Sequence, residues 1–402
     1  MKNVFLKIAL LTIAVLAMSC SNSTKELNYS EVLDDCVAKI ASVEKGLADK
    51  TQLPRCIDEG ETEWKTVGVR DWCSGFWPGI LWYAYEQTND KALKKAAMAA
   101  NAPLKEIAYS SALDHDIGFQ LFCSYGNGYR LTGKPEYKQI LLDAADTLAT
   151  LYDPIVGSIH SWPQKPQYPH NTIIDNMMNL ELLFWAAKNG GNPELAHMAE
   201  SHAEVTMKHI VRPDYSAYHL GSFDDKDGHF IRGVAHQGYA DNSMWARGQT
   251  WGIYGFAIAY RETGRDDFLI TSQKMADKFL ERLPADGIPY WDFDDPKIPN
   301  TPKDASAAAV AACGMLELSK FLSPEDSVKY VDAAKKMVKI LSSDLYYSGE
   351  RNQALLLHSV GHMPKRSEID VPIIYADYYY MEALLRLKKL ASIDHVEVVA
   401  VK

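Results

Sequence analysis

"RGQTWGIYGFAIAYRE" (Arg247–Glu262) runs straight into "TGRDDFLITSQKMA" (Thr263–Ala276). The first segment is apolar, aromatic and rich in small residues. The second opens with an acidic turn and then spaces its apolar residues three and four apart, as an amphipathic helix does. The Thr-Gly pair between them marks a turn. Together they read as a helical hairpin, with one helix too apolar to face water and one that carries a single apolar stripe.

The pattern recurs. "FWPGILWYAYE" precedes "TNDKALKKAAMAA" (from Thr88), and "GFQLFCSYGNGYRL" precedes "TGKPEYKQILLDAA" (from Thr132). "IIDNMMNLELLFWAA" precedes "GGNPELAHMAESHA" (from Gly190), and "ASAAAVAACGMLELSKFL" precedes "SPEDSVKYVDAA" (from Ser323). Tyr29 to Leu47 and "YADYYYMEALLRLKKL" bring the total to about twelve helices, or six pairs. Buried helices alternating with amphipathic ones predict two concentric layers. The fold class expected is all-α, an (α/α)6 barrel of six helical hairpins. Spacings between hairpins are too irregular for an open superhelical array. Strand signals are few and fall in connections: "GIPYWDF", "YHLGSF" and "HFIRG". Residues 29–392 read as one catalytic domain, with 393–402 as a tail.

Composition limits the function. The 402 residues carry a formal net charge of -10, which argues against a nucleic-acid binder. An anionic substrate would have to meet a local cluster of Arg or Lys. Hydrophobic residues at 47% allow a large core, and 9 Trp with 22 Tyr supply platforms for sugar rings as well as core. The six cysteines include no CxxC pair, so neither a disulfide framework nor a zinc site is expected.

Residues 1–20 read as a lipoprotein-type signal peptide. Lys2 and Lys7 precede the apolar run "IALLTIAVLAM", which is short for a membrane span and ends in "AMSC" at Cys20. A small residue before a cysteine resembles a bacterial lipidation site, although Met18 departs from the commonest pattern and simple cleavage stays open. Residues 21–28 read as a polar tether. The expected location is exported: periplasmic, or membrane-anchored through lipid on Cys20.

In such a barrel the starts of the inner helices, and the loops before them, line a funnel. Polar-aromatic stretches fall there: "DWCSGFWPG", "LDHDIGF", "HSWPQKPQYPHNTIIDNMMNL", "AYHLGSF" and "AHQGYADNSMWARGQTWG". Asp175 sits among Ile173, Ile174, Met177 and Met178, where loss of water and a second carboxylate would raise its pKa and keep it protonated as an acid. Asp116 is the natural second carboxylate. For both residues the alternative is a helix N-cap. Arg247, flanked by Trp245 and Trp251, offers a fork to a carboxylate, or else a structural cation–π pair. His219, His236 and Gln237 offer neutral donors for hydroxyls. The histidines lack the spacing of a metal cage. "DDKDG" (Asp224–Gly228) lacks the distal glutamate of a calcium loop and reads as a β-turn.

The motifs "GFWPG", "HDIGF", "IIDNMMNLELLFWA", "RGVAHQGYADNSMWARGQTWGIYGFA", "YWDFDDP" and "ASAAAVAACGMLEL" resemble those of the unsaturated glucuronyl hydrolases, glycoside hydrolase family 88, over essentially the whole mature chain. The resemblance implies an (α/α)6 barrel and no metal or organic cofactor. It implies a substrate with a 4,5-unsaturated uronic acid at its non-reducing end, left by a polysaccharide lyase. The C4=C5 vinyl ether is hydrated and the anomeric carbon is not attacked. By this resemblance Asp175 donates the proton and activates water, and Asp116 is the second essential carboxylate. Trp77 and Trp162 become sugar-stacking walls. His115, His219, Gln237, Trp245, Arg247 and Trp251 become uronate-binding residues. The loop from Ser359 to Pro372 lies where relatives contact the partner sugar, so Lys365, Arg366 and Ser367 are candidates to receive a sulfate. A solvated basic turn is the alternative. Heparin, heparan, chondroitin and hyaluronan fragments all remain open. Two rival readings are an unsaturated rhamnogalacturonyl hydrolase acting on pectin fragments and a lipoprotein that captures oligosaccharides without catalysis.

Overall fold

The computed structural model describes residues 27–400, with side chains placed through Ile393. Twelve α-helices alternate between an outer and an inner layer: α1 (Tyr29–Gly46), α2 (Phe76–Thr88), α3 (Lys91–Asn101), α4 (Asn127–Thr132), α5 (Pro135–Ala149), α6 (Leu180–Lys188), α7 (Glu194–His209), α8 (Ala246–Thr263), α9 (Asp266–Arg282), α10 (Ala305–Leu318), α11 (Pro324–Leu341) and α12 (Ile374–Ala400). The even-numbered helices are inner. Each packs on the next, α4 and α6 doing so through the π-helical segment Gly118–Gly126 that precedes α4, and α12 returns to α2, which closes the ring. The (α/α)6 expectation therefore holds.

The hairpins form for a local reason that repeats. Thr88, Thr132 and Thr263 end α2, α4 and α8, and each hydroxyl donates back to a carbonyl four residues earlier. Each also accepts the backbone N–H two residues on. The residue between, Asn89, Gly133 or Gly264, adopts a left-handed conformation that turns the chain out to the next helix. The inner layer is tight because small residues let helices approach. A Cβ on Gly255 would lie 2.3 Å from Met177, and one on Gly314 would lie 3.0 Å from Tyr254.

Three details differ from the sequence reading. The inner helix expected from Gly118 begins as a π-helix over Gly118–Gly126 before it becomes α4. Such widened turns gather at functional sites. The last helix continues to Ala400, so most of the residues expected as a tail are helical. "YHLGSF" and "HFIRG" do supply strands, Leu220–Phe223 and Phe230–Val234, but they pair with an unforeseen third, His170–Ile173. "GIPYWDF" makes only isolated bridges. "DDKDG" is the turn of that sheet's hairpin, as expected, with Gly228 at φ +77°. A further hairpin pairs Ser359–His362 with Ser367–Val371 at the open end of the barrel. Among the described residues no helix is long and apolar enough to cross a membrane. Residues 1–20, Cys20 included, and most of the expected tether lie outside the described residues.

Candidate active site

A cavity of about 450 Å³ opens where the inner helices begin. Asp71 and Trp72 come from the loop before α2, and Asp114 to Asp116 from the turn before the π-helix. Trp162 and Lys165 come from the connection after α5, Asp175 from the turn before α6, and His236 and Gln237 from the loop before α8. Arg247 and Tyr375 enter from the first turns of α8 and α12, and the 359–371 hairpin supplies His362, Lys365 and Ser367. Helix N-termini thus converge on the cavity, and their dipoles favour an anionic guest despite the acidic chain.

Neither aspartate is a cap. The helical segments after Asp116 and around Asp175 begin at Ile117 and Ile173 with no side-chain capping bond. Each carboxylate instead faces a histidine. Asp116 Oδ1 lies 3.3 Å from His115 Nε2, and Asp175 Oδ2 lies 3.4 Å from His219 Nε2. The two rings present opposite chemistry. His115 Nδ1 lies 3.0 Å from the Ser161 carbonyl oxygen, which can only accept, so Nδ1 holds the ring proton and Nε2 offers a lone pair. His219 Nδ1 accepts the Gln237 backbone N–H at 3.0 Å, so in its neutral form Nε2 carries the proton. Burial pushes the His115 pKa down. Burial, followed by the charges of Asp114, Asp175 and Asp71, pushes the Asp116 carboxyl well above the usual range. Asp116 thus faces a lone pair and Asp175 faces an N–H, at distances that stop short of well-aligned hydrogen bonds. In the sequence reading the retained proton belonged to Asp175. Burial and neighbouring charge favour the protonated form of Asp116.

Other expected residues divide by position. Asp116, Asp175, His115, Trp162, Gln237, Arg247, Lys365 and Ser367 all reach the cavity. His219 stands directly behind Asp175. Three tryptophans do not line it. Trp77 is 3% exposed in α2, faces outward, and donates its indole N–H to Glu44 at 3.1 Å, so it is no sugar wall. Trp251 is fully buried one helical turn below the cavity, against Phe119 and Tyr379. Trp245 packs its ring on His219 and beneath the Arg247 guanidinium, 4.6 Å away, and orients both. The tryptophan of "DWCSGFWPG" that lines the cavity is Trp72, in the loop before the helix, with its ring 5.1 Å from that of Tyr375.

Arg247 is buried and already bonded, to Asp304 at 2.8 Å, to the carbonyls of Val360 and Gly361, and to Gln237 at 3.4 Å. Its fork anchors the hairpin, and its edge faces the cavity. Arg55 clamps the same hairpin, donating to Glu368 at 2.6 and 3.2 Å and to Asp71 at 2.6 Å. The sequence reading passed over Arg55 because its partners lie 16 and 313 residues away.

The profile of Glycosyl Hydrolase Family 88 matches residues 45–390. The chain belongs to that family. An unsaturated glucuronyl hydrolase of Formosa agariphila is 36% identical over 97% of this chain and 99% of its own. The crystal structure of an unsaturated glucuronyl hydrolase specific for heparin has a TM-score of 0.87 at 40% identity, covering 91% of this chain and 98% of that one. One from Streptococcus agalactiae, solved with dGlcA-GalNAc6S, has a TM-score of 0.77 at 32% identity, covering 90% and 91%. This family 88 protein is a glycosidase built on the family's barrel.

Proposed function

We propose that the protein hydrates the C4=C5 double bond of a 4,5-unsaturated uronate at the non-reducing end of lyase-generated glycosaminoglycan fragments, releasing the sugar attached to it. The observation that carries this reading is the pair of carboxyls, each faced by a histidine of opposite polarity, in a cavity sized for a disaccharide. The charge of Asp175 is one of those that raise the Asp116 carboxyl. In the reaction a proton from the pair, delivered through Asp175, adds to C4, and positive charge develops at C5 and the ring oxygen. Water, losing its proton back to Asp175, adds at C5. The hemiketal opens by breaking the bond from C5 to the ring oxygen, and the hemiacetal left at C1 expels the partner sugar. Asp116 holds the proton between turnovers and orients the substrate.

Trp72 and Trp162 would flank the sugar rings, Gln237, His115 and the cavity-facing edge of Arg247 would receive the uronate, and His219 would hold Asp175 from behind. Lys365 and Ser367 would meet the partner sugar. The relatives named for heparin specificity and solved with a sulfated disaccharide support a glycosaminoglycan source. The pattern of Lys2, Lys7, the apolar run and "AMSC" supports an exported protein anchored at Cys20. The test is loss of the ultraviolet absorbance of the conjugated double bond on a panel of unsaturated disaccharides, run beside Asp175→Asn. Loss with the parent alone is the expected result. Loss only with a pectin-derived substrate would move the protein to the rhamnogalacturonyl class. Binding without loss would leave a capture protein.

A further inference from the structure

Ser161 holds the His115 ring and Trp162 lines the cavity, yet neither lies in a helix or a strand. The connection that carries them, "HSWPQKPQYPHN" (His160–Asn171), has prolines at Pro163, Pro166 and Pro169, which lack the N–H that a strand ladder needs. What fixes the segment is a side chain at its far end. Asn171 is fully buried in the strand His170–Ile173. Its Oδ1 accepts the Trp162 backbone N–H at 3.0 Å, and its Nδ2 donates to the Trp162 carbonyl at 3.0 Å and to His160 Nε2 at 2.9 Å. The two Trp162 contacts settle which way the amide points, because its oxygen must face the N–H and its NH2 the carbonyl. The Asn171 carbonyl also accepts the Ser161 N–H at 2.8 Å. One residue thus grips two successive peptide units.

Ser161 passes the constraint on to both carboxyls. Its carbonyl accepts the His115 backbone N–H at 3.2 Å as well as the ring Nδ1–H at 3.0 Å. Its hydroxyl oxygen accepts the Ile173 N–H at 3.0 Å and lies 3.4 Å from Asn176 Nδ2, on either side of Asp175 in the chain. The carbonyl in that place keeps the ring proton of His115 on Nδ1 and leaves Nε2 as an acceptor facing Asp116. With the carbonyl displaced, the ring is free to carry its proton on Nε2, and Asp116 then faces a donor.

Building on the proposed hydration of unsaturated uronates, we infer that Asn171 is a positioning residue for that reaction: through Trp162 and the Ser161 carbonyl it fixes the tautomer of His115, and with it the group shown to Asp116. Asn171 does not line the cavity and acts only through these neighbours. The titratable groups that face the pair are Asp114, Asp175, His219 and His202 around His115, and Asp114, Asp175 and Asp71 around Asp116. A donor at His115 Nε2 favours the Asp116 carboxylate. The step in the rate profile that reports on Asp116 should therefore move to lower pH when Asn171 is replaced.

The test is Asn171→Ala, with Thr172→Val as a matched control. Thr172 is equally buried in the same strand, and its hydroxyl bonds to Ser158 at 2.7 Å and not to residues 160–162. On an unsaturated disaccharide, Asn171→Ala should lower kcat per folded molecule by about tenfold or more, as displacement of a catalytic group does, with a smaller change in KM. Thr172→Val should lower the melting temperature and leave kcat near that of the parent. Ring-nitrogen NMR of protein carrying isotope-labelled histidine should show the Nδ1–H form of His115 in the parent and its loss in Asn171→Ala. If Asn171→Ala fails to fold, Asn171→Asp keeps an acceptor for the Trp162 N–H and, as a carboxylate, removes both donated bonds, and the same two changes are expected of it. An unchanged His115 tautomer, or a kcat loss no larger than that of Thr172→Val, would overturn the role. The NMR readout needs no turnover, so a parent protein inactive on every unsaturated disaccharide would sink the hydration reading alone.

Discussion

One inner helix touches both ends of the barrel and meets a different electrostatic regime at each. At the start of α10, Asp304 holds Arg247 at the edge of the cavity. Near its end, Glu317 is 1% exposed and receives Arg261 at 2.9 Å, Lys320 at 2.6 Å and Arg386. Arg386 also donates to Glu382 at 2.8 Å and to the Tyr254 hydroxyl, and Arg261 reaches Glu181. Four inner helices are stitched together there. At the open end, His115 Nε2, Asp175 Oδ2 and His219 Nε2 are just as buried and have no well-aligned partner. Burial is the same and satisfaction is opposite. The closed end spends its charges on holding helices together. The open end leaves them unfulfilled, so that a substrate completes the set.

The largest effect that separates the two ends is on turnover. Asp175→Asn should lower kcat by about 10³-fold or more, the range expected for loss of a proton-transfer group. Its melting temperature should stay level, since the buried Asp175 Oδ2 faces His219 without a well-aligned hydrogen bond to lose. A fall in stability on the same scale as the loss of rate would mean that the open end is structural too. The converse is Glu317→Ala, which removes the buried carboxylate that Arg261, Lys320 and Arg386 share and leaves Arg261 with Glu181 and Glu262 and Arg386 with Glu382. Removing one partner of a buried charge network costs about 3–5 kcal/mol. Denaturant unfolding should show that loss, while kcat per folded molecule holds. A cost below about 1 kcal/mol would mean that water replaces the lost carboxylate.

How the sequence spoke about these regions follows from range. The hairpin repeat was legible because each Thr–Asn or Thr–Gly turn is closed by bonds within four residues. The aspartates were legible because a carboxyl at the start of an apolar helix is locally anomalous. Which tryptophan faces the cavity was not. Trp72 and Trp77 are five residues apart in one motif, and only the entry angle of α2 decides that Trp77 points at Glu44. Arg55, Lys165 and the closed-end network were silent for a related reason: their partners lie on remote elements. The distinction can be tested. Trp72→Ala should raise KM several-fold through lost ring contact. Trp77→Phe should leave KM alone and cost about 1 kcal/mol for its hydrogen bond. Exchange of these two outcomes would restore Trp77 as the wall.

The smallest effect distinguishes the ends by sign. Burial would raise the Glu317 carboxyl, but Arg386, Lys320 and Arg261 hold it well below the usual range. Its contribution is therefore present above the unfolded value of about 4.3 and lost as pH falls further. Asp116 runs the other way. Its folded pKa is raised, so its contribution is full below an unfolded value of about 3.9 and drains away as pH rises to the folded pKa. Asp116→Asn is a permanently neutral mimic of the protonated acid, and its amide N–H can still donate to the lone pair on His115 Nε2. The variant should match the parent near pH 4 and gain on it as pH rises, by up to about 1.4 kcal/mol for each unit of the interval. Thermal melts of both proteins from pH 4 to 8 give the difference directly. A flat or falling difference would mean that Asp116 is ionised in the folded protein, and that the two ends of the barrel treat their carboxylates alike.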